Sequence, residues 1–249
     1  HRSLDGLIEF RAEIDRKLHE RQERAGDESS LRLRERELED SLSRLGASLT
    51  ARRRQGAPLL ARKVEEQLAV LAMPSARFVC SIEQSVDDQG IAVGDERFKA
   101  TETGLDMVEF LIAPNPGEGL RPLREIASGG ELSRIMLALK TVFAENDAIP
   151  TMVFDEVDAG IGGETGLAVA TKLASLGVYR QVIVITHLPT IAARARTHLV
   201  IEKELSGDST RVVVREVAGE ERVRELARMV SGDRASEAAL ANARELLFP

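Results

Sequence analysis

Two neighbouring carboxylates, Asp155 and Glu156, directly follow an apolar run at residues 151–154. An uninterrupted apolar run of this length predicts a buried parallel strand, because a strand that is covered on both faces does not alternate. Open α/β sheets bind their ligands at the carboxyl ends of the strands. Adjacent acids at such an edge repel a bare phosphate, but they can hold Mg²⁺ and polarise a water molecule, as nucleotide hydrolysis requires. The pair is therefore the candidate centre of the site.

Ser128, Gly129 and Gly130 are the candidate phosphate ligands. Apolar residues at helical spacing follow them, namely Leu132, Ile135, Met136, Leu139, Val142 and Phe143. The triplet is therefore predicted to lie at a helix N-terminus, where free backbone N–H groups and the helix dipole favour an anion. The same triplet is also an ordinary N-cap and turn, so this motif alone does not separate the two interpretations.

His187 ends a second apolar run, at residues 181–186. The two runs have the spacing of consecutive strands in a βαβ arrangement, so their carboxyl ends are expected at one edge of one sheet. A histidine at this position can also be satisfied locally, near the cap of the helix that begins at Leu188-Pro189. The shared edge favours the functional interpretation, in which His187 joins Asp155 and Glu156.

The bulk composition limits the class of protein. A chain of 249 residues with 43% hydrophobic residues can bury a real core in one large or two small domains. A net charge of −7 argues against an all-over basic nucleic-acid binder, so any DNA contact must be local. The single cysteine, Cys80, excludes an intrachain disulfide and fits a reducing compartment. No apolar run reaches the roughly 20 residues of a membrane span, which predicts a cytoplasmic protein without a membrane partner.

Residues 1–72 are predicted to form a helical arm. Apolar residues recur there at heptad intervals in two seams, Leu4, Leu7, Ile14 and Leu18 followed by Leu38, Leu42, Leu45 and Leu49. A narrow seam on a charged helix favours a coiled coil over a solvated helical hairpin, because the seam needs a partner helix. Poor helix formers near 26–30 predict a break there. The triplet at 52–54, three arginines, fits DNA phosphates, although such charge runs are usually solvated.

Residues 73–249 are predicted to form a mixed α/β lobe. Besides the two runs at the site, strands are expected at 77–84, 108–112, 199–204 and 210–217, with turns at 87–90 and 206–208. Helices are expected behind Gly130 and at about 164–176, 220–230 and 236–247. The last two helices carry no candidate chemistry and are expected to cover the sheet.

Two familiar nucleotide-binding loops are not matched. Residues 160–166 nearly fit a dinucleotide fingerprint, but the third glycine comes one place too late and the next strand ends at Thr186-His187 instead of at an acid. An oxidoreductase is therefore disfavoured. A G-x-x-x-x-G-K-[ST] loop is also missing, since Gly-Lys never occurs in the chain. Because the arm beginning at residue 1 has no visible partner helix, we expect this loop in an absent N-terminal half.

Four motifs, in order, resemble those of ABC ATPases. Ser128-Gly129-Gly130-Glu131 is similar to the signature, 152–156 to a Walker B strand, Val157-Asp158 to the D-loop and Thr186-His187 to the H-loop. The arm ahead of the signature resembles the SMC-like branch, and the runs 122–134 and 154–163 are especially similar to members that act in bacterial DNA repair. The similarity is close from about residue 77 onward, while 1–72 match only in character. The chain departs from the pattern in lacking the Walker A loop and the Q-loop.

The fold implied by this resemblance is α/β, the C-terminal lobe of an ABC/SMC-type ATPase head. It has a P-loop NTPase-like sheet flanked by helices, with an N-terminal coiled-coil arm. The implied cofactors are ATP and Mg²⁺. The implied partners are the N-terminal half of the same protein, which carries Walker A, a second copy in an ATP-engaged homodimer, and DNA. On its own this chain is not expected to hydrolyse ATP well.

The resemblance also implies a role for each motif. Asp155 would orient Mg²⁺ through its water shell, Glu156 would polarise the attacking water, and His187 would contact the γ-phosphate. The Ser128-Gly129-Gly130 segment would bind the γ-phosphate of an ATP held by the opposite head, and Asp158 would couple the two sites. Head engagement would move the arms and so tether or organise DNA ends in double-strand break repair at the bacterial nucleoid.

Two other classes share some of these features. The ATPase subunit of an ABC transporter has all four motifs, but it has no long charged helical arm before the signature and it docks on a membrane partner. A structural coiled-coil protein with an inactive head would keep the fold without responding to nucleotide. The arm disfavours the first alternative, and a nucleotide response would separate the second.

Overall fold

The computed structural model describes residues 4–144, 148–206, 209–232 and 236–248. Its helices are α1 (Leu4–Val70), α2 (Gly129–Val142), α3 (Gly163–Leu176), α4 (Pro189–Ala192), α5 (Gly219–Ser231) and α6 (Glu237–Leu247). Its strands are β1 (Arg77–Glu83), β2 (Val86–Val93), β3 (Glu96–Phe98), β4 (Met107–Ala113), β5 (Arg121–Pro122), β6 (Thr151–Phe154), β7 (Gln181–Val184), β8 (His198–Ser206) and β9 (Ser209–Val217). The mixed α/β class is thus as predicted.

Four small sheets contain these strands. One has the order β1-β4-β5, β2 pairs with β3, β6 pairs with β7, and β8 pairs with β9. The β6–β7 pair is parallel, whereas β2–β3, β4–β5 and β8–β9 are antiparallel. The predicted turn at 206–208 includes two residues outside the described ranges. No helix in the described part of the chain is long and apolar enough to cross a membrane.

The helix α1 runs without interruption for 67 residues. The break predicted near 26–30 is therefore wrong. A poor helix former inside a helix costs about 0.5–1 kcal/mol. Stopping and restarting the helix would require a second nucleation step, whose equilibrium constant is only about 10⁻³. Continuing the helix through a few unfavourable residues therefore costs less free energy than breaking it.

The second heptad seam of the arm is exposed. Leu38, Leu42, Leu45 and Leu49 keep between 37% and 69% of their surface accessible. In the first seam, Ile14 and Leu18 are also exposed, while the side chains of Leu4 and Leu7 lie outside the described set. The seam therefore stays available for a partner helix, and the coiled coil stays a prediction.

The chain divides into two compact units, and the division does not fall at the predicted boundary of 72–73. The first contains the chain up to Gly56 together with Ile82–Val108, and the second contains Ala57–Ser81 together with Glu109–Pro249. In the first unit, the buried Asp106 carboxylate accepts hydrogen bonds from the Thr50 hydroxyl (2.7 Å) and from Arg53 Nη1 (3.0 Å). Arg53 also donates to the Thr103 carbonyl. These contacts attach residues 82–108 to the arm, and they give Arg53 a structural partner.

Gly90 is a point where the β2–β3 hairpin tolerates no side chain. A Cβ atom there would lie 2.1 Å from the Phe98 carbonyl oxygen, which is backbone and cannot swing away. We expect Gly90→Ala to destabilise the first unit by about 1–3 kcal/mol. The control is Gly56→Ala in α1, where nothing lies within 4 Å and where alanine should stabilise the helix by about 1 kcal/mol. Thermal unfolding and hydrogen exchange of residues 82–108 measure both, and unchanged exchange in Gly90→Ala would contradict the packing described.

The second unit has one larger and one smaller apolar core. The larger core combines residues from the end of α1 with β1, β4, α2, β6 and α3, including Val64, Leu68, Phe78, Ile112, Ile135, Met152, Phe154 and Val169. The smaller core lies among α4, α5 and α6 and includes Val223, Leu226, Ala227, Ala239 and Ala243. The larger core fixes α2 and α3 around β6, and these elements carry most of the candidate site.

The expectation that β6 is buried on both faces is wrong. Met152 and Phe154 are buried, but Val153 is 63% exposed and Thr151 is also exposed. On β7, Ile183 is exposed as well. In the described chain, packing covers one face of this two-stranded sheet and leaves apolar side chains on the other. The apolar run thus predicted the strand correctly but not its surroundings.

Candidate active site

The carboxyl ends of β6 and β7 lie side by side. The two strands pair in parallel from Thr151 opposite Gln181 to Phe154 opposite Val184, and the Ile185 N–H then donates to the Phe154 carbonyl. The residues that follow each strand therefore emerge at the same sheet edge, as predicted. Asp155 and Glu156 leave from β6, and His187 comes shortly after β7.

The Asp155–Glu156 pair is exposed and has a fixed backbone. The Glu156 N–H donates to Asp155 Oδ1 (2.9 Å), and the Ser133 hydroxyl of α2 donates to the Asp155 carbonyl (2.6 Å). Glu156 has a φ of +56°, in the left-handed region. A residue with a side chain rarely adopts this conformation, because it costs about 1–2 kcal/mol. The surrounding structure consequently holds the Glu156 backbone in this conformation.

Glu156 lies against the start of α2. A Cβ atom built on Gly129 would be 2.2 Å from Glu156 Oε2. On the next residue, Gly130, a Cβ atom would be 2.8 Å from the Ala159 Cβ atom and 3.2 Å from the Glu156 carbonyl oxygen. Gly130 thus allows the helix terminus to approach the loop after β6, whereas the atom near Gly129 is the movable end of the Glu156 side chain. Sequence reasoning explained the glycines by anion binding and missed this steric requirement.

Ser128 caps α2 in the ordinary way. It is the N-cap residue, and its hydroxyl accepts a hydrogen bond from the Glu131 N–H at 3.4 Å. Ser128 and Gly129 are exposed, whereas Gly130 is buried. A capped terminus still presents backbone N–H groups to solvent in its first turn. The structural role is therefore observed, and the phosphate-binding role stays a prediction.

Arg134 is a buried residue of the site that the sequence analysis missed. It lies one helical turn after Gly130, on the same face of α2, and its Nη1 donates to the Ala159 carbonyl at 2.9 Å. Burial lowers the pKa of Arg134 from its ordinary value, and the nearby Glu131 carboxylate opposes that shift. The guanidinium still stays charged at neutral pH. Arg134 and Ser133 together fasten α2 to the loop that begins at Asp155, and the four-residue spacing from Gly130 was the available signal.

Asp158 is only 2% exposed and faces the loop after β7 of its own chain. Its Oδ2 accepts hydrogen bonds from the Thr186 hydroxyl, from the His187 N–H (2.9 Å) and from the Leu188 N–H (3.3 Å). The same oxygen lies 3.1 Å from His187 Nδ1, while the His187 side chain remains 72% exposed. The sequence singled out Asp158 and His187 separately but did not predict that they touch.

The carboxylates at this sheet edge fit a magnesium ion that takes few ligands from the protein. Among the described residues, no three His, Cys, Asp or Glu side chains are grouped to hold a metal ion. Mg²⁺ is commonly bound through one or two carboxylates, with water and substrate phosphates as the other ligands. The exposed Asp155 carboxylate at the sheet edge is the donor that fits this arrangement.

The described part of the chain is a mixed α/β lobe that follows a long N-terminal helix. The solved structures similar in fold include the Smc head domain with a coiled coil and joint from Pyrococcus yayanosii, at 21% identity and a TM-score of 0.45, covering 69% of this chain and 29% of that chain. The SMC head domain from Thermotoga maritima is 19% identical with a TM-score of 0.32, covering 68% of this chain and 52% of that chain.

The particular family comes from sequence comparison. The chain is 47% identical over 210 residues to the DNA repair protein RecN of Streptomyces coelicolor, covering 84% of this chain and 37% of that protein. It is 41% identical over 244 residues to the DNA repair protein RecN of Treponema pallidum, covering 97% of this chain and 41% of that protein. The chain belongs to the RecN family and matches the C-terminal part of its members. It spans about two fifths of the length of these relatives, and a scan against protein-family models found no match.

Proposed function

We propose that this chain is the C-terminal half of an SMC-like ATPase that binds and hydrolyses ATP between two engaged heads. Its role would be to tether or organise DNA ends in recombinational repair of double-strand breaks. The observation that carries the proposal is the common edge of β6 and β7, where Asp155 and Glu156 emerge beside the loop of His187. Residues of general-base and metal-binding type at the ends of adjacent parallel strands support phosphoryl chemistry.

Glu156 is the proposed base of this reaction. Its carboxylate is exposed, and its backbone is held by the Asp155 contact and by the approach of α2. A carboxylate held in this way can orient and polarise a water molecule for attack on the γ-phosphate. Asp155 would orient Mg²⁺ through its water shell. When bound, Mg²⁺ would neutralise part of the negative charge on the phosphates.

The start of α2 is the proposed ligand for a phosphate held by the opposite head. Ser128 and Gly129 are exposed at a helix N-terminus, where an anion is favoured. This chain contains no Gly-Lys dipeptide and therefore no Walker A lysine of its own. The lysine loop is proposed to reside in the N-terminal half of the same protein. ATP would then join two heads, with the exposed arm seam available to a partner helix.

DNA is the proposed target of the assembled protein, at the bacterial nucleoid in the cytoplasm. The relatives are named DNA repair proteins, and this supports a repair role for the present chain. The net charge of −7 restricts any DNA contact to local basic positions. A transporter ATPase subunit is disfavoured by α1, whose 67 residues precede the signature region.

The proposal is tested by assembling this chain with its Walker A-bearing N-terminal half. ATP turnover is measured with and without Mg²⁺ and DNA, and bridging of two labelled DNA fragments is followed in the same samples. We expect Mg²⁺-dependent turnover and ATP-dependent bridging. An assembly that folds and binds DNA but neither hydrolyses ATP nor changes its bridging when ATP is added would contradict the proposal. That result would favour a structural protein with an inactive head.

A further inference from the structure

The Asp158 carboxylate makes more contacts than an exposed carboxylate on a loop. It is almost fully buried, and a single oxygen faces the Thr186 hydroxyl, two backbone N–H groups and the His187 imidazole. All of these partners belong to the loop after β7 in the same chain. A buried carboxylate is stable only when such donors satisfy it, so its removal would release this loop.

The contact with His187 distinguishes the two nitrogens of the imidazole. Asp158 Oδ2 lies 3.1 Å from Nδ1, within hydrogen-bonding distance. A carboxylate oxygen attracts a ring N–H and repels the lone pair of an unprotonated ring nitrogen, so this short distance favours the proton on Nδ1. The hydrogen bond made by one ring nitrogen determines which atom is left for a ligand. With the side chain 72% exposed, Nε2 is the nitrogen that remains free to meet a ligand.

We propose that Asp158 is a positioning residue that acts within its own chain, holding His187 with Nδ1 protonated and Nε2 directed to the phosphate. The phosphate part of this proposal rests on the proposed ATPase function, whereas the orientation of the imidazole does not. The contacts of the Asp158 carboxylate would therefore all lie within its own head. Any coupling of the two heads through the D-loop would depend on its backbone and on other residues.

A purely structural role for Asp158 makes a different prediction. As a cap, Asp158 would accept hydrogen bonds from the His187 and Leu188 N–H groups. The neutral imidazole could then carry its proton on either nitrogen. As a positioning residue, it fixes the tautomer. The protonation pattern of the His187 ring therefore separates the two roles without any nucleotide.

The first test is nitrogen NMR of the ¹⁵N-histidine-labelled chain, which contains four histidines. His187→Gln identifies the His187 signals by their loss. At a pH where the ring is neutral, we expect the wild-type ring to be protonated on Nδ1 and the Asp158→Asn ring to lose much of that preference. Thr186→Val is the matched control, because it removes another partner of Asp158 but leaves the imidazole contact. Protonation of the wild-type ring mainly on Nε2 would overturn the proposal, whether or not the Asn variant folds.

The second test uses the assembled ATPase. Glutamine at position 187 places an amide near the position of Nε2, whereas asparagine places it near Nδ1. We expect kcat for His187→Gln to exceed that for His187→Asn by about tenfold, as expected for one hydrogen bond to a charged group. Equal losses would overturn the assignment of Nε2. If the NMR result holds but the wild-type assembly hydrolyses no ATP, the ATPase function fails while the orientation of His187 by Asp158 stands.

Discussion

Glu156→Gln is expected to lower ATP turnover by the assembled heads by about 100- to 10,000-fold, the range that a positioned general base contributes. Glutamine has nearly the same shape, so it should keep the contact with Gly129 that the glutamate makes. It lacks the negative charge that polarises the attacking water. ATP should therefore bind and join the heads without being hydrolysed, and dimers should accumulate.

The measurement combines steady-state turnover with light scattering in the presence of ATP. Glu164→Gln is the control, because Glu164 is an exposed acid in the first turn of α3 in the same lobe. It changes the charge equally but should leave turnover within about twofold, as expected for a surface substitution away from the chemistry. If Glu156→Gln turns ATP over at the wild-type rate, the assignment of Glu156 as the base is wrong.

The edge of the sheet was predictable because its signals are local. Each strand of the pair is a short apolar run, and the polar residues that end the runs come immediately afterwards in the sequence. The βαβ spacing then required the two ends to meet, as the pairing of Phe154 with Val184 shows. The exposure of Val153 was not predictable. An apolar run indicates that its side chains favour burial, but it does not show whether other parts of the same chain bury them.

The first unit illustrates what the sequence could not provide. Residues 87–90 have turn chemistry, yet they lie within β2, where Gly90 is packed against the Phe98 backbone. The attachment of this hairpin to α1 depends on Asp106, whose partners Thr50 and Arg53 are more than 50 residues away in the chain. No periodicity connects such positions. From the sequence, the arginine run at 52–54 was interpreted as a DNA-phosphate contact or an ordinary solvated run, and Asp106 carried no signal of its own.

The contacts inside the candidate site were hidden for the same reason. Asp158 and His187 were both identified from their motifs, but 29 residues separate them and only the fold brings Oδ2 to Nδ1. Arg134 was closer to prediction, because its spacing from Gly130 places both on one helix face. Its carbonyl partner at Ala159, however, belongs to another element. Residue types thus indicated the chemistry, while the fold decided which side chains are already committed to structural partners.

Ser128→Arg is expected to abolish ATP-dependent dimerisation while preserving ATP binding to the same head. Ser128 is exposed at the start of α2, so an arginine is accommodated without entering the core. The long side chain would obstruct the surface proposed to receive the phosphate from the opposite head. Loss of the serine cap alone should cost only about 1 kcal/mol. Light scattering measures dimerisation, and equilibrium binding of labelled ATP measures nucleotide affinity.

The matched control for this substitution is Ser236→Arg. Ser236 is also an exposed N-cap serine, and its hydroxyl accepts from the Ala239 N–H at the start of α6. The control therefore loses an equivalent cap and gains the same charge, but at a helix without candidate chemistry. Both variants should lose similar stability, so a defect confined to Ser128→Arg is attributable to the dimer contact and not to folding. ATP-dependent dimers of Ser128→Arg, or an equal defect in Ser236→Arg, would rule out the proposed role of the α2 terminus as a ligand for the opposite head.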